Sequence, residues 1–120
     1  MAPQNNPRKD IQRKLQVDPG LFLVDRMGTE IVATVMAGYE GHRGWINYLA
    51  VAPPLQKSGY GRQILAHAEK LLRELGCPKI NLQIRSTNQH VIAFYKSLGF
   101  AIDDVVSMGK RLVTDEPIEP

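Results

Sequence analysis

The sequence predicts one α/β domain (α+β by some schemes), in which a mixed, mostly antiparallel sheet of about six strands is flanked by about three helices. Three observations carry this. The periodicities run in the order α-β-β-β-α-β-α-β(β) along the 120 residues. Short turns separate the first three strand-like segments, which makes them antiparallel neighbours. Two β-to-α crossovers follow, and such crossovers bring at least one parallel pair into the sheet. A chain of this length has room for one core, so residues 1–120 read as a single domain with its ordered part from about 10 to 113.

The elements follow in order. Residues 1–8 carry two prolines and two asparagines, and residues 114–120 are acidic with two more prolines, so both ends read as loose tails. A short helix is expected from Asp10, its N-cap, to Val17, with Ile11 and Leu15 on one face and Pro19-Gly20 as its stop. Leu21–Val24 is an apolar run that pairs, through the turn Met27-Gly28-Thr29, with the β-branched stretch Ile31–Tyr39. Glu40–Gly44 leads into the strand Trp45–Val51, which Pro53-Pro54 ends because proline cannot donate to a ladder.

From Arg62 to Leu75 the period becomes helical: Ile64, Leu65, Ala68, Leu71, Leu72 and Leu75 form one stripe. Glu69 with Arg73 and Lys70 with Glu74 are i,i+4 pairs on the wet face, and Gly76 and Pro78 terminate the helix. Lys79–Arg85 alternates around Ile80, Leu82 and Ile84. A further helix is expected from Asn88 to Leu98, capped by Asn88 or Thr87 and stopped by Gly99, and Phe100–Leu112 is extended again.

Composition narrows the function. Hydrophobic residues at 43% and charged ones at 22% describe an ordinary globular protein. A net charge of +3 suits an anionic small ligand. Lys and Arg are scattered and aromatics are only 7%, so the basic stripe and stacking platform of a nucleic-acid binder are missing. One cysteine, Cys77, permits no intrachain disulfide and fits a reducing compartment, and it reads as a small buried filler. No apolar run reaches the roughly 18 residues of a membrane span, and no apolar leader is seen. A cytoplasmic protein without a membrane partner is expected. His67 and His90 read as surface residues, and no histidine pair has metal spacing, so no metal is expected.

The chemistry concentrates at Gly59-x-Gly61, between a proline-stopped strand and an amphipathic helix. A helix start leaves backbone N–H groups unpaired and carries partial positive charge, so an anion belongs there. Lys57 and Arg62 add charge at the rim. The P-loop pattern is absent, as is a dinucleotide fingerprint. On spacing alone, a plain glycine-rich turn is the stronger reading.

Context changes this. The stretch Tyr48–Leu65, with Gln56, Gly59 and Gly61 in the [Q/R]-x-x-G-x-[G/A] places, resembles the acetyl-CoA-binding motif of the GNAT N-acetyltransferase superfamily. Asn88 and Ala93-Phe94-Tyr95-Lys96-Ser97-Leu98-Gly99-Phe100 follow at the family's distance, although Ala93 stands two residues before Tyr95. Asp104–Leu112 is similar to the family's closing strand. The resemblance covers residues 10 to 113. It implies a GNAT-type sheet with a splayed strand pair, and acetyl-CoA as cosubstrate for N-acetylation of an amine, small-molecule or protein-borne.

Carried onto this chain, the resemblance implies that backbone groups of Leu49, Ala50 and Val51 pair with the pantetheine arm. The N–H groups from Lys57 through Ser58, Gly59, Tyr60 and Gly61 to Arg62 hold the pyrophosphate, with Gln56 opening the motif. Asn88 bonds the pantetheine amides, and an N–H near Leu49–Ala50 polarises the thioester carbonyl. Tyr95 is the implied general acid for the departing thiolate. The strand Trp45–Val51 carries no carboxylate, so Glu40 or His42 on the preceding loop stands as the base. The family's usual first strand and helix are missing before Asp10, which leaves Leu21–Val24 as a sheet edge for a second copy to cover, and a homodimer is expected. The same absence supports an alternative: a truncated module that holds a CoA thioester without efficient catalysis.

Overall fold

The structure, a computed structural model, describes residues 6–114, with Pro19 described in its backbone only. Helix α1 spans Pro7–Val17, strands β1 Phe22–Met27, β2 Glu30–Tyr39 and β3 Gly44–Val51 follow, and then come helix α2 Tyr60–Glu74, strand β4 Ile80–Leu82 and helix α3 Gln89–Ser97. Single 3-10 turns at Pro19–Leu21 and Pro53–Leu55 bracket the strand block.

Helix α1 starts earlier than expected, because Asn6 rather than Asp10 is its N-cap: the Asn6 side chain accepts from Lys9 N at 3.2 Å and Pro7 opens the first turn. Pro7 and Arg8 are therefore helical, not loose. The remainder of the expected tails, 1–5 and 115–120, lies outside the described residues. Helix α1 buries no residue; Lys14 lies over Gly38, its Nζ 3.5 Å from where a Cβ on that glycine would stand.

The sheet runs β1-β2-β3-β4. Strands β1 and β2 form the expected hairpin, with Met27 opposite Glu30. Strands β2 and β3 are also antiparallel, and β3 and β4 supply the parallel pair that the crossovers required. The expectation of about six strands is corrected to four among the described residues. Phe100–Leu112 joins no ladder. Side chains tie it beside β4 instead: Lys79 and Asn81 donate to Asp103, and Gln83 to Ser107. Phe100 packs against the core, but Ile102, Val105, Val106, Met108 and Leu112 are exposed. Strand β4 is correspondingly shorter than the expected Lys79–Arg85.

Helix α2 covers one face of the sheet. Ile64, Leu65, Ala68 and Leu72 pack with Ala33, Val35, Ala37 and Ile46, and Leu72 and Val35 are sealed completely. Deleting the Leu72 side chain to alanine belongs to the class of core truncation that costs about 2–5 kcal/mol. Leu71 is half-buried, while Leu75 falls past the helix and is exposed, so the stripe ends one turn early. Arg73 and Glu69 pair at 2.8 Å as their spacing predicted; Lys70 and Glu74 do not.

Candidate active site

Strand β3 has two neighbours along its first three residues and one beyond them. Gly44, Trp45 and Ile46 pair with Ile80, Asn81 and Leu82. There β4 ends, and among the described residues the edge of β3 from Asn47 to Val51 has no strand beside it on that side. On the β2 side, Asn47 faces Met36 and Ala50 faces Thr34, so Tyr48 and Leu49 together oppose the single residue Val35. This is a β-bulge, and Tyr48 sits in it with φ +52°, a left-handed conformation for a bulky residue. Leu49, Ala50 and Val51, the residues implied to line the cofactor arm, are the unaccompanied stretch.

Beyond β3 the chain turns through Pro53–Leu55 into the loop Gln56–Gly59. Gln56 Nε2 donates to the Val51 carbonyl at 3.2 Å, latching the loop to the strand end. Ser58 N donates to Leu55 O, and its hydroxyl bonds the same carbonyl. Gly59 is the N-cap of α2 with φ +94°, a conformation that a Cβ would strain. Lys57 is left-handed as well, at φ +69°, which no residue type in the sequence signalled. Among the described residues, the backbone N–H groups of Lys57, Gly59, Tyr60, Gly61 and Arg62 have no protein acceptor; the first helical bond is Gln63 N to Gly59 O. No acidic residue stands in the first turn of α2 to compete for them. Gly61 is not left-handed. It brings the helix close to its neighbours: a Cβ there would lie 3.5 Å from Phe94 and 3.6 Å from Val51.

Tyr95 is fixed by the end of α3. Gly99, at φ +95°, donates to Lys96 O, and Phe100 N donates to Tyr95 O at 3.1 Å, the paired bonds of a glycine-terminated helix. The same geometry sets the Phe100 ring edge-on to Tyr95 at 5.4 Å, with Phe94 at 5.2 Å on another side. Tyr95 is only 7% exposed, yet its hydroxyl makes no hydrogen bond among the described residues and is not among the sealed unpartnered atoms. Burial raises its pKa above the ordinary phenol value, so the proton is held. Asn88 is the N-cap of α3, its Oδ1 accepting from Val91 N at 3.3 Å.

Glu40 and His42, the expected bases, sit on the loop before Gly44, at the paired end of β3. Glu40 Oε1 accepts from the backbone N–H groups of His42 and Arg43, so it caps its own turn. His42 is exposed. Instead, Asp10 reaches the open half of β3: the Tyr48 hydroxyl donates to Asp10 Oδ2 at 2.6 Å, across 38 residues of sequence. Burial first, and Asp10 second, push the Tyr48 pKa up to about 12. In the sequence Asp10 shows only as a capping residue, and no local signal links it to Tyr48. His67 and His90 are exposed as expected. Cys77 is half-buried rather than fully buried and donates to Lys79 O at 3.3 Å.

Comparison with known proteins bears on this arrangement. A family model described as the acetyltransferase (GNAT) family matches residues 2–100. The chain is 42% identical over 116 residues to an acetyltransferase of Yersinia enterocolitica, covering 97% of this chain and 82% of that protein. It is 44% identical over 115 residues to an acetyltransferase of Pectobacterium atrosepticum, covering 96% and 82%. Among solved structures, Ard1 from Thermoplasma volcanium superposes with a TM-score of 0.72 at 24% identity, over 78% of this chain and 64% of that one. AAC(6')-Iy, solved with the bisubstrate analog CoA-S-monomethyl-acetylneamine, superposes with a TM-score of 0.69 at 17% identity, over 87% of this chain and 78% of that one.

Proposed function

Because the chain belongs to the GNAT acetyltransferase family and is an N-acetyltransferase, we propose that it takes its acetyl group from acetyl-CoA and passes it to a primary amine by direct attack. The observation that carries this reading is the group of five unpartnered N–H donors from Lys57 to Arg62 at the start of α2. They fit a pyrophosphate, with Lys57 and Arg62 adding charge, because anions are favoured where helix-start donors have no other acceptor. The pantetheine arm lies along the free edge of β3 at Leu49, Ala50 and Val51. Asn88, whose Oδ1 is committed to the helix, offers its Nδ2.

The steps follow from ordinary thioester chemistry. The amine, having lost its ammonium proton to solvent, attacks the thioester carbonyl; a C–N bond forms and the C–S bond breaks. An N–H near Leu49 and Ala50 stabilises charge on the carbonyl oxygen. Tyr95 gives its proton to the departing sulfur and regains one, through solvent, from the new amide nitrogen. Neither Glu40 nor His42 is needed as base. The reading also places the enzyme in the cytoplasm, which the lone cysteine suits. It makes the enzyme a homodimer through the β1 edge, where Val24 and Met27 are exposed.

Calorimetry with acetyl-CoA and with free CoA tests the binding step. Both should bind, and no binding of either at millimolar concentration would sink the reading. Thiol release is then followed across a panel of primary amines. Binding without release by any of them would favour the module that holds a CoA thioester and does not turn it over.

A further inference from the structure

The bulge in β3 poses a physical question. A tyrosine held at φ +52° is in a strained conformation, and such a residue persists only where its surroundings fix it. On one side Tyr48 has lost ladder regularity with β2, because it shares Val35 with Leu49. On the other side β4 has already left, its last pair being Ile46 with Leu82. What remains is its hydroxyl, which donates to Asp10 on α1 at 2.6 Å.

The Asp10 carboxylate is itself oriented. Its Oδ1 accepts from Arg13 Nη1 at 3.1 Å while its Oδ2 takes the Tyr48 hydroxyl. The cap of α1 is supplied by Asn6, so Asp10 is not needed there. The groups acting on Tyr48 are thus Asp10, with Arg13 behind it, and the Arg111 guanidinium, whose charge opposes that of Asp10. The phenol, pushed up to about 12, remains a donor throughout the neutral range. Among the hydrogen bonds of the described residues, no other carboxylate reaches the stretch from Asn47 to Val51.

We infer that Asp10 and Tyr48 are positioning residues: their hydrogen bond braces the bulge of β3 and so aims the backbone N–H that polarises the acetyl carbonyl. This rests on the acetyl-CoA reading above. The brace ties the bulge to α1 where no β4 residue pairs with β3. If the bond only fastened α1 to the sheet, its loss would lower stability and leave the carbonyl untouched.

The two cases separate by infrared difference spectroscopy of carbonyl-13C-labelled acetyl-CoA bound to the full chain. In the parent protein the carbonyl stretch should move to lower frequency on binding. In Tyr48→Phe and Asp10→Ala it should return toward the free value, with CoA affinity held within about twofold. Tyr48→Asn, a residue that tolerates the left-handed conformation, should recover part of the shift without the hydroxyl. A carbonyl band equally shifted in the parent and in Tyr48→Phe would overturn the inference, as would an unshifted band in the parent with acetyl-CoA bound. If neither CoA form binds, the function proposed above fails and the brace falls with it. Should Asp10→Ala not fold, Tyr48→Phe, which removes a single oxygen, decides alone.

Discussion

The two halves of β3 are continuous in sequence yet meet opposite surroundings. From Gly44 to Ile46 the strand is paired on both sides, and Gly44 and Ile46 are buried. From Asn47 to Val51 it is paired on one side only, bulged at Tyr48, and followed by a loop rich in unused N–H donors. The first half has both edges of its ladder paired; the second keeps donors free at a cost in local regularity. Stability should therefore respond to change in the closed half and chemistry to change around the open half. Each prediction below would break that division if it failed.

The largest effect is expected at Tyr95. Tyr95→Phe should lower kcat about a hundredfold, the usual scale for removing a general acid, equivalent to about 2.7 kcal/mol of barrier. Acetyl-CoA affinity measured by calorimetry should hardly move. The pH profile gives a second check. Burial raises the folded pKa, so the proton is retained as pH rises through the ordinary value of 10.0, and the falling limb of kcat/KM due to this residue should lie above it. A limb below that value would remove Tyr95 from the acid's role.

The closed half is tested at Gly44. A Cβ there would stand 2.7 Å from Cys77 Sγ and 3.4 Å from Leu72, so something must shift. Gly44→Ala should destabilise by about 1–3 kcal/mol, read from the urea midpoint, as overpacked sites do. The folded fraction should bind acetyl-CoA as the parent does. Adding Cys77→Ala should recover much of the loss, because it removes the atom that clashes. Equal losses in the single and double variants would show that the tight contact is not the cause.

Much of this division could be read in the sequence, and the remainder could not, for identifiable reasons. The loop from Gln56 to Gly61, the helix behind it and the glycine stop after Tyr95 are local features, set by residues within a few positions of one another. The start of α1 was misjudged because Asn6 and Asp10 are both capping types, and only Pro7 at the first turn distinguishes them. The charge of Glu40 shows in the sequence, whereas the two N–H groups it accepts from show only in the fold. The bulge carried no signal, since Tyr48 is neither glycine nor asparagine. Its brace to Asp10 spans 38 residues, beyond the reach of any periodicity. The closing segment read as a strand because its residues are β-formers, whereas its place beside β4 is set by side-chain bonds from Lys79, Asn81 and Gln83.

At the loop after the open half, a pair of substitutions at Gly61 should separate the two properties. An alanine methyl would meet Phe94 and Val51 at ordinary contact distance, so the fold accommodates it. Gly61→Ala should leave stability unchanged or raise it by up to about 1 kcal/mol. The motif itself admits alanine at this place, so acetyl-CoA should bind that variant about as tightly as the parent. Gly61→Val, whose further methyls crowd Val51 and Phe94 beside the path proposed for the cofactor, should bind acetyl-CoA about tenfold more weakly. Equal affinity in Gly61→Val and the parent would mean that Gly61 serves packing alone.

The smallest effect is expected at Asp103, which belongs to the closed half through β4. Lys79 Nζ lies 3.0 Å from both of its carboxylate oxygens, and Asn81 donates to one of them at 2.9 Å. The hydrogen bond from Lys79, then its charge, lowers the Asp103 pKa below the usual 3.8. The sign follows: a depressed folded pKa contributes stability above the unfolded value, and that contribution is lost as pH falls through the folded one. The pair is solvent-exposed, so the increment is small and is weakened further by salt. Asp103→Asn should therefore melt slightly below the parent at neutral pH and low salt. The gap should close as the solution is acidified below the normal carboxylate range. Acetyl-CoA binding at neutral pH should be the same in both proteins. A gap that persisted in acid would assign the effect to the geometry of the Asn81 contact rather than to charge, and a change in acetyl-CoA affinity would show that the two halves of β3 are coupled after all.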